Sequence, residues 1–183
     1  EKDLKEASCP ATFIELSIKN NSDENWEVFF GIQGGRQGIT PWVPLSNRGS
    51  LKGQISHNEI GFATDDNDAE EFNDFGIEEA LSRYHKTPKF LLGPIGGISF
   101  KVGPGSEKKL RLVIGYYRSK QITVNRDAKY WYTQYFNSID CVLNYALDNF
   151  EDYKSISAEA DNKLLASGLS TDQQFLIAHG TRS

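Results

Sequence analysis

The sequence predicts a mainly β chain with C-terminal helices: an antiparallel β-sandwich over residues 1–119, linker helices over 120–168, and the opening of a further helix from 169 to 183. Two observations carry that expectation. Short runs of alternating apolar and polar residues, separated by Gly, Pro, Asn and Asp, recur as far as Tyr117, as the strands of a sandwich do. Beyond Ser119 the apolar residues fall at intervals of three and four, which places them on one face of a helix.

The first strand is expected between Ala11 and Asn20, where Thr12, Ile14, Leu16 and Ile18 follow a near-alternation. Asn20-Asn21-Ser22-Asp23-Glu24-Asn25 supplies turn chemistry, and Trp26, Val28 and Phe30 resume the alternation, so the pair reads as a hairpin. A glycine-rich stretch, Gly31 to Gly38, precedes Trp42 and Pro44, and a further short strand is expected from Asn58 to Thr64. Lys89–Leu92 and Ile98–Val102 are strand candidates on either side of Gly93-Pro94-Ile95-Gly96-Gly97, which reads as a turn. Gly103-Pro104-Gly105-Ser106 then turns the chain into the last strand, Leu110 to Tyr117.

A short aromatic helix is expected from Asp127 to Phe136, with Asn137-Ser138 as break and cap. Ile139, Val142, Leu143, Ala146, Phe150, Tyr153, Ile156, Ala160 and Leu164 form one stripe, so a single long amphipathic helix should follow. Gly168 is placed to end it in the left-handed conformation. Ser170 and Gln173 have the spacing of a capping box for one more helix. Its apolar residues Phe175, Leu176, Ile177 and Ala178 have little in the chain to pack against, so their partners are expected elsewhere.

Composition narrows the function classes. Twenty Lys and Arg stand against 25 Asp and Glu, a net charge of −5, which gives a phosphate backbone no electrostatic reason to bind. Nucleic acid is not an expected partner. No apolar run approaches the ~18 residues that a membrane helix needs, so no membrane partner is expected. Cys9 and Cys141, with no visible secretory signal, point to the cytoplasm and to two unpaired thiols. No methionine occurs, even at position 1, so the chain as given is expected to have been processed or cut.

Few motifs carry chemistry. The acidic run Asp65 to Asp74 invites calcium, but starting from Asp66 the sixth position holds Glu71 where an EF-hand requires glycine. A solvated surface loop is the expectation, with an irregular cation site as its rival. Gly34-Gly35-Arg36-Gln37-Gly38 lacks the Lys-Ser/Thr of a phosphate loop and reads as a turn. His57, His85 and His179 are too far apart for a local zinc motif, and no metal or other cofactor is expected. No serine elbow or paired cysteine nucleophile is visible. Tyr116, Tyr117, Tyr130, Trp131, Tyr132, Tyr135 and Phe136 can stack on sugar rings, although packing between domains is the stronger expectation.

Three blocks resemble glycoside hydrolase family 52, the bacterial β-xylosidases. Gly103-Pro104-Gly105-Ser106-Glu107-Lys108-Lys109 with Tyr116-Tyr117-Arg118 looks like that family's turn and final sandwich strand. Ala128-Lys129-Tyr130-Trp131-Tyr132-Thr133-Gln134-Tyr135-Phe136-Asn137-Ser138-Ile139, continuing to Tyr145-Ala146-Leu147, looks like its linker helices. Leu169-Ser170-Thr171-Asp172-Gln173-Gln174-Phe175 with Ala178-His179 and Thr181-Arg182-Ser183 is similar to the opening of its helical domain. Cys9 to Gly31 matches more loosely, and Arg36 to Phe90 hardly at all.

The resemblance implies an N-terminal sandwich packed on an (α/α)6 barrel that cleaves terminal β-xylosyl units with retention, residues 169–183 being the start of that helical catalytic domain, cut short. It implies catalytic carboxylates after Ser183, so none is assigned within the chain. His179 and Arg182 are the candidate residues for contacting substrate hydroxyls or orienting a downstream carboxylate. An interdomain or helix-end hydrogen bond is the plainer role for each. The implied partners are β-xylosides or short xylo-oligosaccharides and the remainder of the helical catalytic domain, with a homodimer as the oligomer that the resemblance admits. Two rivals stand beside this reading: β-glucosidase or glucosylceramidase-like specificity on the same architecture, and an independent carbohydrate-binding or interaction module.

Overall fold

The structure, a computed structural model, describes residues 2–33, 42–76, 78, 82, 93–119 and 128–180. Its strands are β1 (Ala11–Lys19), β2 (Trp26–Gln33), β3 (Trp42–Pro44), β4 (Lys52–Ser56), β5 (Ile60–Thr64), β6 (Glu70–Asp74), β7 (Ile95–Val102) and β8 (Glu107–Tyr116). Its helices are α1 (Lys2–Ala7), α2 (Ile139–Asp148), α3 (Phe150–Leu165) and α4 (Thr171–Gly180), with a 3-10 turn at Trp131–Gln134. None of the helices among the described residues is long and apolar enough to cross a membrane. The chain divides into two compact units, Glu1–Asp148 and Asn149–Ser183.

The first unit is a sandwich of two antiparallel sheets, ordered β1-β8-β5-β4-β3 and β2-β7-β6. Phe62, Leu110 and Leu112 from the larger sheet meet Ile98 and Phe100 from the smaller one, and Trp42 and Ala69 complete this buried core. The alternation read in β1 holds, since Ile14, Leu16 and Ile18 pack against that core. β8 is buried on both faces. Leu110 and Leu112 point into the sandwich, whereas a Cβ on Gly115 would meet Leu143, Ile139 and Val142 of α2 at 3.0–3.2 Å. Gly61 pairs with Gly115 across the ladder, and a Cβ there would lie 3.1 Å from Leu143. Two facing glycines thus open the groove that seats α2 on the sheet.

The expected hairpin between the first two strands is not formed. β1 pairs with β8 in one sheet and β2 with β7 in the other, so residues 20–25 carry the chain across the sandwich. Asn20 decides this. Its buried amide donates to the carbonyls of Glu24 (2.7 Å) and Val102 (3.1 Å), while its oxygen accepts from the backbone and hydroxyl of Ser22. A side chain tied to the end of β7 directs the turn toward that sheet.

Other expectations also need correction. Gly96 and Gly97 belong to β7 rather than a turn, because rings occupy the space above them: a Cβ would stand 2.6 Å from Trp42 and 2.2 Å from Phe72. The strands β3, β4 and β6 were not expected, and β6 takes up the end of the acidic run. The aromatic helix reduces to one 3-10 turn, held by the Thr133 hydroxyl on the Tyr130 carbonyl at 2.7 Å; Asp127 lies outside the described residues. So do the Gly34–Gly38 cluster and the Lys89–Leu92 candidate strand.

The single long helix is two. Asn149 departs from helical geometry (φ −109°, ψ 17°) between α2 and α3, as a residue that bonds its own backbone readily can. The buried stripe of Ile139, Val142, Leu143, Ala146 and Leu147 belongs to α2, whereas in α3 only Phe150 is buried and Ile156 is exposed. The caps behave as expected. Ser138 accepts the Cys141 N–H at 3.2 Å, Gly168 has φ +71°, and Ser170 and Gln173 exchange reciprocal bonds of 3.0 and 3.3 Å.

Candidate functional site

The first unit carries an aromatic cleft of about 420 Å³ lined by Pro10, Glu59, Ile60, Tyr116, Arg118, Tyr130 and Tyr132. Its floor is the run-out of β8. Three successive N–H groups there are held by three different elements: Tyr116 donates to the Pro10 carbonyl (2.9 Å), Tyr117 to the Glu59 carbonyl (2.7 Å), and Arg118 to the Tyr132 hydroxyl (2.8 Å). Glu59 is presented by the β4–β5 turn, where His57 and Asn58 both adopt positive φ. Asn tolerates that conformation through its short polar side chain, and His is among the residues enriched in it.

Tyrosine rings form the wall. Tyr130 and Tyr132 stack with centroids 5.5 Å apart and planes 18° from parallel, and Tyr117 leans on Tyr132 at 6.1 Å. Tyr116 is 49% exposed. At the rim the Arg118 guanidinium stands 3.8 Å from the Glu59 carboxylate. Burial pushes the Tyr132 hydroxyl above the usual tyrosine value of 10.0, reinforced by Tyr130 and Tyr117, while the hydrogen bond from Arg118 opposes the shift. The cleft therefore offers flat apolar faces beside one carboxylate acceptor and one set of guanidinium donors.

The expected aromatic group divides accordingly. Tyr116, Tyr130 and Tyr132 line the cleft and Tyr117 backs Tyr132, whereas Phe136 is buried against Tyr145 with Lys5 over both rings. Trp131 is exposed. Glu59, Arg118 and Pro10 were not singled out as cleft residues. Their sequence neighbours carry little signal, because Glu59 and Pro10 reach the cleft only through strand pairing.

The candidates His179 and Arg182 are not seen together. His179 lies exposed in the last turn of α4 with its ring 4.2 Å from Phe175, and Arg182 lies outside the described residues. His57 sits in the β4–β5 turn, and His85 is outside the described residues. Neither Cys9 nor Cys141 is in a disulfide. Among the described residues, no group of three or more His, Cys, Asp or Glu is arranged to hold a metal ion. The acidic run is occupied otherwise: Asp65 pairs with Arg111, Asp66 with Lys108 and Glu70 with Lys101. Glu71 accepts from Ser46 and from the Gly53 N–H. Residues 65–68 form a largely exposed loop, as expected, and the ion pairs of Asp65 and Asp66 tie it to β8.

Comparison with known proteins places the chain in a defined context. A family model described as Glycosyl hydrolase family 52 matches residues 1–183. A beta-xylosidase of Geobacillus stearothermophilus is 29% identical over 193 aligned positions, covering 100% of this chain and 26% of that protein. A second beta-xylosidase from the same organism is 28% identical over 196 positions, covering 100% and 30% respectively. The chain thus spans between a quarter and a third of the length of these relatives.

Proposed function

The chain belongs to glycosyl hydrolase family 52, and from that premise we propose that it is the N-terminal, non-catalytic portion of a retaining β-xylosidase-like enzyme acting on xylo-oligosaccharides. The observation that carries the reading is the pairing of a family match over all 183 residues with a 26% share of a beta-xylosidase's length. Retention requires a nucleophile and a proton donor ~5–5.5 Å apart on rigid elements. On the family resemblance, which implies both carboxylates after Ser183, that pair belongs to a further domain. On this reading the remaining helical domain packs on Phe175, Leu176 and Ile177 of α4, and the whole enzyme works in the cytoplasm.

His179 and Arg182 then contact substrate hydroxyls or orient a downstream carboxylate. Assaying the complete protein and this chain separately on aryl β-xyloside and aryl β-glucoside tests the reading. Turnover of the xyloside by the complete protein alone is expected. Turnover by the 183-residue chain would overturn the non-catalytic assignment, and preference for the glucoside would shift the substrate to β-glucosides. In the complete protein H179A and R182A are expected to lower kcat/KM for the aryl xyloside; unchanged values would remove both residues from the site.

A further inference from the structure

We propose that the tyrosine cleft at the end of β8 is a binding site for a pyranose ring of a neutral oligosaccharide. The chemistry of the lining selects that class. A pyranose with equatorial substituents has an apolar C–H face and a rim of hydroxyls that both donate and accept. The half-exposed Tyr116 ring and the outer side of the Tyr130–Tyr132 stack meet the face, and Glu59 and Arg118 meet the rim as acceptor and donor. One carboxylate beside one guanidinium leaves the site without net charge, which disfavours an anionic ligand. A purely apolar ligand would strip water from that ion pair with no compensating bond. The volume of about 420 Å³ falls in the ~300–1,000 Å³ range of small-molecule sites.

The site is also built to bind cheaply in entropy. The backbone bearing Tyr116, Tyr117 and Arg118 is fixed by bonds to Pro10, Glu59 and Tyr132, and a tyrosine has only two side-chain torsions to freeze. Choice of a xylo-oligosaccharide as ligand rests on the function proposed above; the pyranose site itself rests only on the cleft.

The test is a titration of the full chain with xylotriose and, separately, cellotriose, followed by calorimetry and by amide chemical shifts. Saturable binding with shifts at Glu59, Tyr116, Arg118 and Tyr130 is expected. Y116A and Y130A should weaken it about tenfold or more, the scale of a lost aromatic contact, while Y130F should bind within about twofold of the parent. Melting temperatures of the variants check that they fold. Absence of saturable binding to either sugar, or unchanged affinity in Y116A, would overturn the proposal. So would protection of Tyr116 and Tyr130 from acetylation in the sugar-free complete protein, since the cleft would then be an internal interface. Binding of cellotriose but not xylotriose would uphold the cleft while weakening the xylosidase reading, whereas failure of the aryl xyloside assay with binding intact would remove that reading alone.

Discussion

Gly96 and Gly97 are positions at which a single methyl group would run into a buried aromatic ring. The rings that approach them, Trp42 and Phe72, are 2% and 6% exposed, so neither can swing aside into water. G96A and G97A are each expected to cost about 1–3 kcal/mol, the range for overfilling a packed interior. G49A, with nothing within 4 Å of its Cβ, should stay within about 0.5 kcal/mol; denaturant midpoints measure all three. A string of glycines beside proline looks the same in sequence whether it turns or lets a ring approach, and only the location of Trp42 separates the two. Tyr132 offers a second test at this scale. Its folded pKa is raised by burial, so its contribution to stability is whole below the ordinary tyrosine value and is lost as pH climbs through the folded one. The stability difference between the parent and Y132F should therefore shrink as pH rises from about 8 to 11, and a difference independent of pH would contradict the shift.

Among the elements, those governed by local chemistry were legible and those governed by pairing were not. Ser138, Gly168 and the Ser170–Gln173 pair were read from spacing alone because a cap bonds only to its own first or last turn. The turn after β1 was legible as a turn, yet its direction depended on Asn20 reaching Val102, 82 residues away. For the same reason the tyrosines of the cleft were visible as a group, while Glu59 and Pro10 were not. The split at Asn149 is not legible because an apolar stripe continues through it in sequence, although burial ends at Phe150. Helix α4 gives the element-scale prediction. S170A removes the bond to the Gln173 N–H and is expected to cost about 1 kcal/mol, visible as about fivefold faster amide exchange in the first turn of α4. Q173A breaks the reciprocal bond, and the double variant should lose less than the sum of the two singles because both halves belong to one box.

At the scale of the whole molecule, the two compact units differ in how much apolar surface each keeps from water. β8 is hydrogen-bonded to β1 on one side and β5 on the other, with Leu112 and Val113 fully buried. Helix α4 instead leaves Phe175 61%, Leu176 68% and Ile177 42% exposed. Exchange of the amides of Leu112, Val113 and Ile114 should thus require global unfolding, while those of α4 open locally and far sooner. If the remainder of a family 52 enzyme packs on α4, burial of three large side chains at ~1.5–3 kcal/mol each must appear in the same amides. Their protection in the complete protein is then expected to rise by about 100-fold or more over that in the 183-residue chain, with the β8 amides already slow in both. Equal protection of α4 in the two would mean that its apolar residues meet nothing in the larger protein, and the helix would lose its place as the junction to a catalytic domain.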